Sequence, residues 1–180
     1  SDVYKRQWYA SVAVPELLKD MDQDSDEAMQ AVNDVVATAK AAGKHWAATP
    51  ARERAEILNR AADILAARRG HLMAVAGAET GKVLEQSDPE VSEAVDFCRY
   101  YARRALELEF VDGGDFVPHA VTVVTPPWNF PLAIPTGTTV APLATGSAVI
   151  HKPSPESRRC STAVCEALWE ACLLYTSPSP

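Results

Sequence analysis

From Ala120 to His151 the chain carries no Asp, Glu, Lys or Arg, and the first charge after that run is Lys152. A charge-free run of this length is either a span across a lipid bilayer or a segment buried inside a protein. Five prolines interrupt it, Pro126, Pro127, Pro131, Pro135 and Pro142, among many threonines. A lipid-facing helix must satisfy its backbone N–H groups internally, and prolines at this density break that ladder. We therefore expect no membrane span and instead a buried β-loop-α-β unit. The β-branched 121–124 segment is a strand, 126–131 a rigid turn, 132–144 a crossover helix ended by Gly146, and 147–150 a second strand. Parallel strands require such a crossover, and open α/β sheets take ligands at the carboxyl ends of their strands. Those ends carry Pro126–Asn129 and His151–Pro153.

The residues before this unit follow a helical period. Ser25 caps a first helix with Asp26 and Glu27 in its opening turn, Ala28, Val32, Val35, Val36 and Ala39 on one face, and a stop at Gly43. Thr49 and Pro50 read as N-cap and first residue of a second helix, with Ile57, Ala61, Ile64 and Leu65 as its stripe and Gly70 as its end. A short third helix covers 71–79. A fourth starts at Ser87 or Asp88 and runs to about residue 109, with Val91, Ala94, Val95, Cys98, Tyr101 and Ala102 as its apolar side. One more helix follows the second strand over 155–171. The fold class is α/β: a helical segment over 25–109 leading into a β-α-β unit over 120–171.

Composition narrows the partners. With 47% hydrophobic and 23% charged residues in a chain of 180, a packed core is expected. A net charge of −7 and a pI near 5.1 speak against nucleic acid, whose phosphates call for a basic surface. The N-terminus has no basic stretch followed by an apolar run and a cleavage site, so the expected compartment is the cytoplasm. Cys98, Cys160, Cys165 and Cys172 form no C-x-x-C pair and have no histidines at zinc-ligand spacing, so we expect no metal site. They read as small, semi-buried side chains rather than nucleophiles. His45, His71, His119 and His151 make no triad pattern and read as surface or structural residues.

Two phosphate-binding signatures fail. The stretch Gly77 to Lys82 is one residue short of a P-loop and carries Val83 where a Ser or Thr would hold magnesium; it reads as a helix-ending turn. No G-x-G-x-x-G is present. Asn129 is another matter. An uncharged amide after a Pro-Pro-Trp turn at a strand end either stabilises a developing oxyanion or simply forms the turn. Lys152 at the second strand end either binds a nucleotide's ribose or phosphate or is a surface lysine.

The stretch PPWNFPLAIPTGTTVAPLATGSAVIHKPS resembles the P-W-N-F-P…G…K-P region of the aldehyde dehydrogenase superfamily, including the spacing from Asn129 to Lys152. Upstream, ETGKVLEQSDPEVSEAVDFCRYYARRA is similar to 1-pyrroline-5-carboxylate dehydrogenases, above all the dehydrogenase module of bifunctional proline-utilisation proteins. The resemblance covers 8–171. It implies the first β-α-β units of a Rossmann-like NAD-binding domain, incomplete here. The implied reaction is oxidation of L-glutamate γ-semialdehyde to L-glutamate, through a thiohemiacetal, hydride transfer to NAD and hydrolysis of a thioester. By the same resemblance Asn129 is the oxyanion-hole amide, Thr125, Pro126, Pro127 and Trp128 line the cofactor site, and Lys152 contacts the adenosine ribose, followed by Ser154 and Pro155. Many NAD-using members carry an acidic residue three places after that lysine; here Pro155 stands there with Glu156 next, so NADP stays open beside NAD.

The family's Gly-rich cofactor turn, general-base glutamate and nucleophilic cysteine have no counterpart in these residues, so the chain alone is expected to be inactive. The resemblance further implies a small-molecule aldehyde as substrate, a homo-oligomer at full length, and a possible proline dehydrogenase domain upstream. Alternatives are the same fold acting on another semialdehyde, or a helical interaction module without activity. The ends, SDVYKRQ at 1–7 and CLLYTSPSP at 172–180, differ in style from the rest and look like sequencing-adapter read-through.

Overall fold

A computed structural model describes residues 25–176. Six α-helices and two strands follow one another as α1 (Asp26–Ala48), α2 (Ala51–Ala67), α3 (Arg69–Thr80), α4 (Leu84–Glu107), β1 (Val121–Val124), α5 (Ala133–Thr145), β2 (Ala148–His151) and α6 (Arg158–Thr176), with single 3-10 turns at Leu108–Phe110 and Pro155–Ser157. The strands pair in parallel, Val121 opposite Ala148 and Val124 opposite His151. The expected β-α-β unit is therefore present, with the second strand one residue later than its sequence pattern suggested. Gly146 ends α5 in the left-handed region at φ 95°, and its N–H returns to the Leu143 carbonyl.

The layers follow from side-chain alternation along β2. Ala148 and Ile150 face Val35 and Ala39 of α1, while Val149 joins Val124 and Leu143 on the other side, under α5. All four residues of β2 are buried. Behind α5 the larger core is helical: Leu58, Ala61, Ala62 and Leu65 of α2 meet Val91, Ala94, Cys98 and Ala102 of α4, Val140 of α5, and Val164, Ala167 and Leu168 of α6. Two long-range donors lock α1 and α2 onto the crossover helix. The Trp46 indole N–H donates to the Leu143 carbonyl at 2.9 Å, and Arg54, 8% exposed, donates from Nε to the Ala144 carbonyl at 3.1 Å and from its guanidinium to the Thr49 carbonyl.

Four helix boundaries differ from the sequence reading, each for a physical reason. Helix α1 does not stop at Gly43 but continues to Ala48, because Gly43 serves close packing: a Cβ there would lie 2.7 Å from the Ala120 carbonyl oxygen. Thr49 is the C-cap of α1, not the N-cap of α2, and Pro50 precedes the first helical residue, Ala51. Gly70 does not end α2; the break falls at Arg68, and Gly70 lies in the first turn of α3. Helix α4 starts at Leu84, ahead of Ser87, because the Gln86 and Ser87 N–H groups already close its first turn on the Val83 carbonyl, and it runs on through Pro89 at the cost of one helix hydrogen bond. On α1, Val32 is 38% exposed, leaving Ala28, Val35 and Ala39 as the buried face.

The cysteines are fully rather than partly buried. Burial pushes the Cys98 and Cys165 thiols up to about 12 and raises Cys160 as well, so none of these three is a thiolate near neutral pH. Among the described residues no helix is long and apolar enough to cross a membrane, and no cluster could hold a metal ion. The reading of 1–7 and 172–180 as foreign falls outside the described residues except where α6 continues to Thr176.

Candidate functional site

The parallel register sets the geometry of the site. Because Val124 lies opposite His151, the chain leaves both strands at the same end of the sheet, and the Lys152 N–H donates to the Val124 carbonyl at 2.8 Å. Thr125 through Asn129 and Lys152 through Pro155 are thus the two segments that emerge at the carboxyl ends of the strands. Thr125, Pro127, Trp128 and Asn129 are exposed, as are Lys152 and Pro155; Pro126 is buried and Ser154 half-buried. Among the described residues the Asn129 side-chain amide has no hydrogen-bond partner, so its N–H donors are available.

Beneath the exposed turn lies a buried charge pair. Glu90 of α4, its side chain 1% exposed, accepts from the backbone N–H groups of Leu132 at 2.7 Å and Ala133 at 3.0 Å, capping the N-terminus of α5. A carboxylate at that position answers unsatisfied N–H groups and the positive end of the helix dipole. The Lys82 ammonium sits 2.5 Å from the other Glu90 oxygen, with its side chain 9% exposed. Lys82 also donates to the Asn129 main-chain carbonyl at 3.0 Å and lies over the Phe130 ring, 4.3 Å from its centre. Gly81, at φ 71°, ends α3 in the left-handed region and turns Lys82 inward. The helix-ending turn read from the sequence is therefore present.

Glu79, on the same stretch, repeats the device. Its carboxylate accepts from the Arg159 and Cys160 N–H groups, both at 2.8 Å, at the start of α6. Neither glutamate nor Lys82 stood out as a site residue in the sequence. One signal was there for Glu90: it precedes Ala94 by four and Phe97 by seven, a carboxylate on the apolar stripe of its helix.

His151, the last residue of β2, is fully buried. Its Nδ1 is 2.8 Å from the Thr139 hydroxyl of α5, while Nε2 has no partner among the described residues. Desolvation holds the imidazole down at about 4, so the ring is neutral at physiological pH and structural. In the turn after Lys152, Ser154 donates its hydroxyl to the exposed Glu156 carboxylate, which lowers the pKa of that acid.

The model of the "Aldehyde dehydrogenase family" matches residues 14–174. The chain belongs to that family. A 1-pyrroline-5-carboxylate dehydrogenase of Anoxybacillus flavithermus is 41% identical over 146 residues, which are 74% of this chain and 28% of the relative. Proline Utilization A (PutA) from Corynebacterium freiburgense superposes with a TM-score of 0.68 at 45% identity, over 74% of this chain and 14% of its own. A Thermus 1-pyrroline-5-carboxylate dehydrogenase with bound NAD gives a TM-score of 0.68 at 35% identity, over 74% of this chain and 28% of that one. The chain thus spans under a third of the relatives it matches, and the helix-rich architecture with its small parallel sheet is that of a partial aldehyde dehydrogenase domain.

Proposed function

We propose that this chain is the part of an L-glutamate γ-semialdehyde dehydrogenase that carries the oxyanion donor and the adenosine side of the cofactor site. The observation that carries the reading is the shared sheet end: an unpartnered amide, Asn129, leaves one strand, and an exposed ammonium, Lys152, leaves the other. The side-chain N–H of Asn129 would donate to the aldehyde oxygen as negative charge builds on it. Such a donor stabilises the transition state more than the substrate. Thr125, Pro127 and Trp128 would offer a flat ring a wall to lie against, with Pro126 buried behind it and the turn stiffened by the two prolines. Lys152 and Ser154 offer donors, and Glu156 an ionised acceptor, a set that suits the vicinal hydroxyls of a ribose. With Pro155 where an acid is usual and Glu156 one place on, we read NAD as the cofactor without excluding NADP. When bound, the nicotinamide accepts the hydride that leaves the substrate carbon.

The names of the matched proteins support γ-semialdehyde as the substrate and a fused proline dehydrogenase domain as a possible neighbour. Another semialdehyde is the alternative, and the residues beyond this segment that would hold an amino-acid carboxylate decide between them. The test is Asn129→Ala in the full-length enzyme that contains the segment. Loss of one oxyanion donor is expected to lower kcat by about 10²–10³-fold. An unchanged kcat with γ-semialdehyde and NAD would reject the assignment.

A further inference from the structure

The Asn129 amide can serve an oxyanion only if its backbone is fixed, yet residues 128–131 are bends and a turn outside the strand and helix hydrogen bonds, which resume only where the Leu132 carbonyl accepts from the Thr136 N–H. Three devices constrain the segment. Pro126 and Pro127 restrict φ on one side and Pro131 on the other. Glu90 anchors the turn where it enters α5, through the Leu132 and Ala133 N–H groups. Between these anchors the Asn129 carbonyl accepts from Lys82, which is itself held by Glu90 and covered by the Phe130 ring.

We propose that Lys82 and Glu90 form a buried positioning pair for Asn129: Lys82 fixes the Asn129–Phe130 peptide plane, and Glu90 fixes both Lys82 and the helix start that follows. The proposal rests on Asn129 being the oxyanion donor. It assigns a role to a charge pair that reaches no strand end itself. Simple capping of α5 would need only the carboxylate, since both N–H groups go to Glu90 Oε1. The lysine adds the one link between that cap and residue 129. An ammonium this deeply covered is costly unless it is paired, and its second bond goes to the main chain of the turn.

The experiment uses the full-length enzyme containing the segment. Lys82→Met alone leaves Glu90 as a lone buried charge and can unfold the protein, so the decisive variant is the pair Lys82→Met with Glu90→Gln. The glutamine keeps its oxygen for the Leu132 and Ala133 N–H groups, no charge is orphaned, and the ties of the ammonium to the Asn129 carbonyl and the Phe130 ring are lost. A misplaced donor of this kind is expected to lower kcat by roughly tenfold to a hundredfold. KM for aldehyde and for NAD should stay within about twofold. In an Asn129→Ala background the pair should change kcat hardly at all, because the group it positions is gone. A pair variant with wild-type kcat, while Asn129→Ala is impaired, overturns the positioning role alone. So does a pair variant that loses the same factor in both backgrounds, as a merely structural defect would. Wild-type kcat in Asn129→Ala overturns both readings.

Discussion

At the scale of single residues, the buried polar groups divide by what burial does to them. Lys82 and Glu90 each have the other and the main chain as partner. His151 has only the Thr139 hydroxyl, and burial pulls it from an ordinary value near 6.5 to about 4. The unfolded chain therefore binds a proton between those values and the folded chain does not. Stability from this group is complete above pH 6.5 and is lost as the pH falls through 4, an effect of about 3 kcal/mol between pH 7 and pH 4. In the full-length enzyme we expect His151→Gln to flatten the fall in Tm across that window. Equal falls in both proteins would show that the buried imidazole is not a source of acid lability.

At the scale of elements, two glycines decide how closely helices approach their neighbours. Gly137 lies against Phe97, and a Cβ there would sit 2.8 Å from the ring. Gly137→Ala should push α5 off α4 and cost about 1–3 kcal/mol as overpacking. Phe97→Leu in the same chain should recover part of the lost Tm; no recovery would mean that the glycine matters for something other than this contact. The same principle explains what was legible in the sequence. Strand β1 and the Gly146 stop were readable because β-branching and a left-handed glycine act locally. Gly43 and Gly70 look identical to Gly146 in sequence, but Gly43 answers to the Ala120 carbonyl, 77 positions away in the chain. Local pattern cannot carry that. The site divides likewise. Asn129 and Lys152 drew attention by position, the first in the turn that leaves β1 and the second directly after β2, and the family resemblance then chose which reading of each to propose. Lys82 and Glu90 act on residues about forty positions downstream, and nothing adjacent to them announces it.

At the scale of the whole molecule, the described segment leaves much apolar surface uncovered. Phe110 and Val117 are each 81% exposed, Val123 of β1 is 60% exposed, and Trp128 and Phe130 of the site turn are 51% and 44% exposed. Both strands of the two-stranded parallel sheet also keep one edge without a partner among the described residues. Parallel sheets are normally covered on both faces, and open edges invite pairing with other chains. The chain spans only 28% of the Anoxybacillus relative, so the rest of such an enzyme is the natural cover for these surfaces. Produced by itself, the segment should melt over a broad range, bind a hydrophobic dye such as ANS and associate with time, because local helical packing in α2, α4 and α6 persists while the sheet stays unprotected. It should also form no NADH from aldehyde, having the proposed oxyanion donor without the family's nucleophile. A sharp two-state melt of a monomer that leaves the dye dark would mean that the helical layers alone stabilise the sheet and that the exposed residues are tolerated surface. Aldehyde-dependent NADH from the same sample would be the more serious result, since it would require a nucleophile among four buried cysteines, three of which burial keeps protonated.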